Sequence, residues 1–176
     1  HITPNGFEND FVWQGEEFAA KRSEARKAMI EVAEACLSHK FEKEPLIIGT
    51  SGRYEFRNKG LDVFMESLKR LASFNLNREI LAYVMVPAAN NGARADLVRH
   101  MEDATQPIDE KQWKYSTHYL ENRQWDPVSQ SIRGSVLESK DSKVKVIFVP
   151  SYLNGVDGVF NMNYYEMLSG MDLTAY

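Results

Sequence analysis

The sequence is poor in cysteine, with Cys36 as the only one, and its four histidines are scattered. A single thiol excludes an internal disulfide and favours a cytoplasmic location, where thiols stay reduced. We interpret Cys36 as a small core residue, because it lies in the amphipathic stretch MIEVAEACLSH. Since the histidines do not have the spacing of metal ligands, we predict neither a metal site nor a cofactor.

Long apolar runs and an excess of basic charge are also missing. No stretch approaches the roughly 20 apolar residues of a membrane helix, so no membrane span is predicted. The formal net charge is −4, whereas proteins that bind nucleic acid in general carry a basic excess. The length of 176 residues, with 43% hydrophobic and 26% charged residues, is typical of one globular domain.

Short apolar runs alternate with helical patterns along the chain. The first amphipathic helix is predicted over residues 16–38, with Phe18, Met29 and Cys36 on its apolar face. Four later runs have the length of buried strands, namely LIIGT, REILAYVMVP, KVKVIFVP and DLTAY. Helical patterns separate these runs, including one over residues 126–139 that begins with Asp126 as its N-cap. The alternation predicts an α/β, Rossmann-like fold whose mostly parallel sheet has helices on both faces.

The segment from about residue 91 to residue 125 fits this alternation poorly. Residues 104–122 are polar and aromatic-rich and show no clear period, so we predict an insertion outside the sheet. Trp113 and Trp125 are interpreted as packing groups, and His118 as the donor or acceptor of a structural hydrogen bond. Asn90 follows a predicted strand, where turn formation explains it as well as ligand binding does.

The loop GTSGRYEFRNKG, residues 49–60, follows the first strand at its carboxyl end, where ligands of such sheets bind. Gly49 and Gly52 allow the backbone to approach a ligand closely, and the next helix begins with a partial positive charge. Arg53 offers a planar guanidinium to a phosphate, Lys59 adds a compact point charge, and Glu55 partly offsets both. The loop lacks the Walker and dinucleotide motifs, and a solvated surface loop explains the same residues.

Several motifs resemble the glycogen synthase family of animal and fungal type. They are TPNGF, GRYEFRNKG, VPAANN, STHYL and VKVIFVPSYLNG followed by NYYEMLSGMDL. Together they extend through nearly the whole chain, and GRYEFRNKG is the most specific of them. The resemblance implies that residues 1–176 are part of the C-terminal, nucleotide-sugar-binding domain of a glycosyltransferase with two Rossmann-like domains (GT-B).

The activity implied by this resemblance is the transfer of glucose from UDP-glucose to an α-1,4-glucan acceptor with retention of configuration. In the family, Arg53 and Lys59 would face the donor phosphates beside Gly52 and neutralise charge on the departing diphosphate without a metal ion. A segment with paired glutamates is expected after Tyr176, and an acceptor-binding first domain is expected elsewhere, so we expect this chain alone to be inactive. The insertion lacks the family's arginine-rich helix, which fits a bacterial member.

Two alternatives stay open on the sequence alone. One is a non-catalytic, Rossmann-like scaffold or regulatory domain whose aromatic residues 113–125 contact a partner. The other is a small protein that binds a sugar phosphate. The sequence also leaves open the choice between UDP-glucose and ADP-glucose and the presence of a homo-oligomer, to which an exposed edge strand could contribute.

Overall fold

The computed structural model describes residues 12–175, so the turn predicted at Pro4–Asn5–Gly6 lies outside the described residues. The helices and strands, in chain order, are α1 (Gly15–Leu37), β1 (Leu46–Ser51), α2 (Leu61–Ala72), β2 (Ile80–Met85), β3 (Asn90–Ala93), α3 (Ala95–Glu102), β4 (His118–Leu120), α4 (Pro127–Ile132), β5 (Val144–Val149), α5 (Tyr164–Ser169) and β6 (Leu173–Ala175). None of the helices in this part of the chain is long and apolar enough to cross a membrane.

The four predicted strands form one parallel sheet in the order β5-β2-β1-β6. Every residue of β2 and β5 is buried, as expected for strands covered on both faces. The last residues of three strands are aligned, with Ser51 of β1 opposite Met85 of β2, and Met85 opposite Val149 of β5. Their carboxyl ends therefore lie in one row at a single edge of the sheet.

Two hydrophobic clusters cover the two faces of the sheet. The first packs α1, α3 and α5 against Leu81 and Tyr83 of β2. The second packs α2 and α4 against Ala82 and Val84, because successive residues of a strand point to opposite faces. The predicted α/β, Rossmann-like fold with helices on both faces is confirmed.

The apolar face predicted for α1 is confirmed over its central and C-terminal turns, where Met29 and Cys36 are completely buried. Burial raises the pKa of the Cys36 thiol to about 12, so Cys36 is an unreactive core residue, as predicted. Phe18, however, is 38% exposed. A 23-residue helix is about 34 Å long, whereas a six-residue strand spans about 20 Å, so one end of α1 extends past the sheet.

Two arginines of α1 attach this helix to the connection between α5 and β6. Arg26 donates to a carboxylate oxygen of Asp172 at 3.0 Å and to the Gly170 carbonyl at 2.8 Å. Arg22 donates to the other Asp172 oxygen at 2.6 Å, and the Ile47 N–H also reaches this carboxylate. Burial alone would raise the pKa of Asp172, but the Ile47 N–H and the two guanidinium groups outweigh burial and lower this pKa. Asp172 therefore joins α1, β1 and β6.

The helix predicted over residues 126–139 is shorter than expected. Asp126 is its N-cap, as predicted, and its carboxylate accepts the Ser129 N–H at 2.7 Å. The helix ends at Ile132 because Gly134 has a positive φ of 69°, and a separate 3-10 turn follows at Val136–Glu138.

The predicted insertion is not wholly outside the main sheet. Its strands β3 and β4 form a separate antiparallel ribbon, but Ser116 makes a parallel bridge to Phe148 of β5. The Phe148 N–H donates to the Tyr115 carbonyl at 2.7 Å, and the Thr117 N–H donates to the Phe148 carbonyl at 3.0 Å. The outer side of β5 would otherwise have unpaired backbone groups, and this segment satisfies them.

A buried arginine organises the same segment. The completely buried Arg94 forms an ion pair with Asp96 at 2.6 Å and donates to the carbonyls of Trp113 at 2.6 Å and Ser116 at 3.1 Å. Asp96 also accepts the Asp109 N–H at 2.9 Å. A buried charge is tolerated when it is paired and fully hydrogen-bonded, as Arg94 is. This pair fixes the path of the chain between α3 and β4.

Candidate functional site

The loops that follow β1, β2 and β5 enclose an open cleft at the carboxyl edge of the sheet. Its volume is about 550 Å³, which lies in the usual range for small-molecule sites. The walls are the last residue of β1 with residues 52–54 after it, Met85 and Pro87 at the end of β2, residues 151–154 after β5, and Tyr164. The cleft lies where ligands of open α/β sheets bind.

Two of the three predicted site residues lie together in the wall of this cleft. Gly52 has a φ of 132°, which favours glycine, and no atom outside its neighbours lies within 4 Å of the position of an added Cβ. The side chain of Arg53 is 78% exposed, and its Nε lies 3.5 Å from Glu55 Oε1. Exposed ion pairs of this kind are weak, so Arg53 is free to turn toward a stronger anion.

Lys59 lies further along the same loop and is not part of the cleft wall. Its side chain is exposed, and none of the ion pairs found among residues 12–175 includes it. Arg57 is likewise exposed and outside the wall. The structure therefore brings Gly52 and Arg53 to the cleft and leaves Lys59 at its periphery.

Two features expected to favour an anion have another explanation. Gly49 lies inside β1, and a Cβ there would come within 2.5 Å of the Met171 sulfur, so packing accounts for this glycine. At the start of α2, the Asp62 N–H donates to the Phe56 carbonyl and the Val63 N–H to the Asp62 carboxylate. These donors are already used, so the expected contribution of this helix terminus to an anion site is not supported.

Tyr54, which we did not single out from the sequence, supports the loop after β1. Its hydroxyl donates to the Asp126 carboxylate at 2.5 Å and accepts the Val128 N–H at 3.2 Å, and its ring packs against the Phe148 ring. Burial, together with the hydrogen bond to Asp126, raises the pKa of the Tyr54 hydroxyl well above its usual range. Tyr54, which directly follows Arg53, thus connects the loop after β1 to the N-terminus of α4.

Asn90 connects the loops after β2 and β5. Its side-chain amide donates to the Pro150 carbonyl at 2.7 Å and to the Ala88 carbonyl at 2.9 Å, and its carbonyl oxygen accepts the Gly92 N–H. Asn90 also belongs to the strand β3, which was not predicted. Its role is therefore to hold two walls of the cleft together.

His118 forms structural hydrogen bonds, as predicted. Its Nε2 donates to the Asp157 carbonyl at 2.9 Å, and the Thr117 hydroxyl lies 2.8 Å from its Nδ1. A carbonyl only accepts, so Nε2 carries the proton of the neutral ring. Burial lowers the pKa of His118, despite the opposing contribution of Asp157. His118 thus anchors, through the Asp157 carbonyl, the segment that follows residues 151–154 of the cleft wall.

The structure is a Rossmann-like α/β domain with an open cleft at the carboxyl ends of its parallel strands, where ligands of such sheets bind. A family model described as glycogen synthase matches residues 2–111, which is more than half of the chain. The chain belongs to the glycogen synthase family. The matched segment contains β1, β2 and the loop with Gly52 and Arg53, and the resemblance seen in the motifs is confirmed.

Curated relatives agree with this assignment. The chain is 25% identical to glycogen [starch] synthase of Caenorhabditis elegans over 72% of its own length and 27% of that protein. It is 24% identical to glycogen [starch] synthase of Neurospora crassa, over 77% of the chain and 27% of the relative. It is 23% identical to the human liver glycogen [starch] synthase, over 76% of the chain and 26% of the relative. The chain thus spans about a quarter of the length of these relatives.

We expect the Tyr54→Phe variant to lower the free energy of unfolding by about 1–2 kcal/mol, because Asp126 and the Val128 N–H both lose a partner. Urea unfolding of the two proteins measures this difference. The matched control is Tyr152→Phe, since Tyr152 is 75% exposed in the same cleft. Equal stability of the two variants and the wild type would contradict the supporting role of Tyr54.

His118 makes the stability depend on pH in a defined direction. Because its folded pKa is lowered, the unfolded chain binds more protons below the ordinary histidine pKa of about 6.5. The contribution is fully present above that pH and is lost as the pH falls, with a slope of at most about 1.4 kcal/mol per pH unit.

Thermal or urea unfolding between pH 7.5 and pH 5 tests this dependence. We expect a flatter profile for His118→Gln than for the wild type. His100→Gln serves as the control, because it removes a half-buried histidine whose hydrogen bond to the Gln106 carbonyl lies at the surface. A His118→Gln profile as steep as the wild type would show that another group is responsible.

Proposed function

We propose that this chain is the donor-binding part of a glycogen (starch) synthase. The complete enzyme would transfer glucose from UDP-glucose to the non-reducing end of an α-1,4-glucan, with retention of configuration. The observation that carries the proposal is the cleft at the carboxyl ends of β1, β2 and β5, with Gly52 and Arg53 in its wall and within the part of the chain that matches the family.

The donor diphosphate would lie against the loop after β1. The positive φ of Gly52 and the open space beside it let phosphate oxygens approach the backbone, and the weakly held guanidinium of Arg53 can bind them in bidentate fashion. As the bond between the glucose C1 and the phosphate oxygen breaks, negative charge grows on the departing UDP. A cation placed there lowers the barrier because it interacts more strongly with the product-like transition state than with the bound donor.

Lys59 would be the second phosphate contact. Because Lys59 lies outside the cleft wall, its flexible side chain has to extend toward the donor. It can do so because it forms no ion pair with the described residues. Tyr152, which is 75% exposed at the rim of the cleft, offers its ring face to the nucleobase. With two cations in these positions, the proposal requires no metal ion.

The remaining parts of the reaction would come from outside this chain. The acceptor-binding first domain and the paired glutamates of the family are not among these residues, so the chain alone is proposed to be inactive. As a soluble glycosyltransferase of glycogen metabolism the complete protein would act in the cytoplasm, and nothing in the proposal requires a homo-oligomer.

The proposal predicts that Arg53→Ala and Lys59→Ala, made in the complete enzyme, each reduce kcat/KM for UDP-glucose about 10²–10³-fold, as loss of a transition-state charge contact does. Steady-state glucose transfer measures this effect. Arg57→Ala is the matched control, because it removes an exposed cation from the same loop, at a position to which the family resemblance assigns no phosphate contact.

Wild-type turnover in both Arg53→Ala and Lys59→Ala would contradict the assignment. A loss of the same size in Arg57→Ala would also count against it, because the loop would then act through its net charge alone. If UDP at millimolar concentration does not bind to the complete protein, the alternative of a non-catalytic scaffold is favoured, with Trp125, which is 71% exposed, as part of its contact surface.

A further inference from the structure

A second cavity lies at the opposite edge of the sheet, at the amino end of β5. Its volume is about 60 Å³, several times the space that one water molecule needs. Three lysines line it, Lys114, Lys140 and Lys145, together with Ser38 and Ser139. Nothing in the proposed transferase function requires a cluster of cations here.

Lys145 is the central group of this cavity, because it is only 6% exposed although it carries a charge. Its Nζ donates to the Lys140 carbonyl at 2.8 Å, which is its one hydrogen bond to the described part of the chain. An ammonium group has three donors, so two of them remain for an occupant of the cavity. Burial lowers the pKa of Lys145; Glu79 opposes this shift, and Lys114 adds to it.

The carboxylates near the cavity already have donors of their own. Glu79 Oε1 lies 2.9 Å from His39 Nε2, and Glu138, which belongs to the wall, accepts the Gly134 N–H at 2.7 Å. The carboxyl end of α1 also borders the cavity and contributes a partial negative charge of about half an elementary charge. The three lysines of the wall outweigh this partial charge and the one carboxylate of the wall, Glu138, so the lining keeps an excess of positive charge, which Glu79 and Asp141 reduce.

We propose that this cavity binds a compact tetrahedral oxyanion of the phosphate class. The anion would accept hydrogen bonds from the Nζ atoms of Lys114, Lys140 and Lys145 and from the hydroxyls of Ser38 and Ser139. Charge-assisted hydrogen bonds of this kind relieve the mutual repulsion of the lysines and satisfy the buried ammonium. The size of the cavity selects a small ion, and a nucleotide or a sugar chain does not fit.

The test is isothermal titration of the protein with inorganic phosphate at constant ionic strength, with chloride as the compensating anion. We expect saturable binding to the wild type and at least about tenfold weaker binding to the double variant Lys114→Ala/Lys140→Ala, which leaves the buried Lys145 in place. The matched control is Lys43→Ala/Lys111→Ala, which removes the same charge from two exposed positions outside the cavity and should bind as the wild type does.

The cleft with Arg53 is the other place where phosphate could bind, so Arg53→Ala is titrated in parallel. Phosphate affinity that is unchanged in Arg53→Ala and lost in Lys114→Ala/Lys140→Ala supports the proposal. The proposal is overturned by the reverse pattern, by equal weakening in the control double variant, or by no saturable binding at millimolar phosphate. Loss of donor binding in the cleft would not affect this result, so the two proposals fail independently.

Discussion

Strands β1, β2 and β5 are paired in parallel with their last residues in one row, and the candidate site depends on this register. Ser51, Met85 and Val149 are aligned across the three strands, so the loops that follow them start side by side. A shift of one residue in either pairing would exchange the two faces of that strand and move each of its side chains from one hydrophobic cluster into the other. The packing of both faces of β2 and β5 therefore also fixes where the cleft forms.

Hydrogen bonds between distant parts of the chain then hold the three loops. Tyr54 ties the loop after β1 to Asp126, Asn90 ties the loop after β2 to the Pro150 carbonyl, and His118 ties the chain after β5 through the Asp157 carbonyl. Each contact uses a side chain that does not itself present a charge to the cleft. Binding sites benefit from such support, because a wall that is already ordered loses less entropy when a ligand binds. Arg53 differs from these supporting residues, because its side chain is exposed and can change conformation when a ligand binds.

The parts of the fold that the sequence predicted are those that a local pattern encodes. Continuous apolar runs of strand length indicated β1, β2 and β5, and Asp126 followed by Pro127 marked the start of α4. The strand β3 has the sequence NNGA, whose composition is not typical of strands, and it forms only because β4 offers a partner. Local patterns carry no information about such a pairing.

The residues of the candidate site likewise divide into those that a local pattern predicts and those that only tertiary contacts explain. Gly52 and Arg53 were found because a glycine and a cation after a buried strand have a recognisable chemistry. Tyr54 was missed because its partner Asp126 is 72 residues away in the chain. Arg94 was missed because arginine is usually exposed, and only the tertiary structure brings Asp96 and several carbonyls around its guanidinium. Gly49 appeared to serve a ligand, but the Met171 side chain, which comes from the far end of the sequence, explains it.

We propose above all that the cleft at the carboxyl edge of the sheet binds a nucleoside diphosphate through the loop after β1. The most direct measurement is an NMR titration of this chain with UDP that follows the backbone amides of the wild type and of Arg53→Ala. We expect saturable shifts at Gly52, Arg53, Leu153 and Asn154 in the wild type, and weaker binding in the variant. Saturable shifts confined to residues outside the cleft, or no shifts at millimolar UDP, would contradict it.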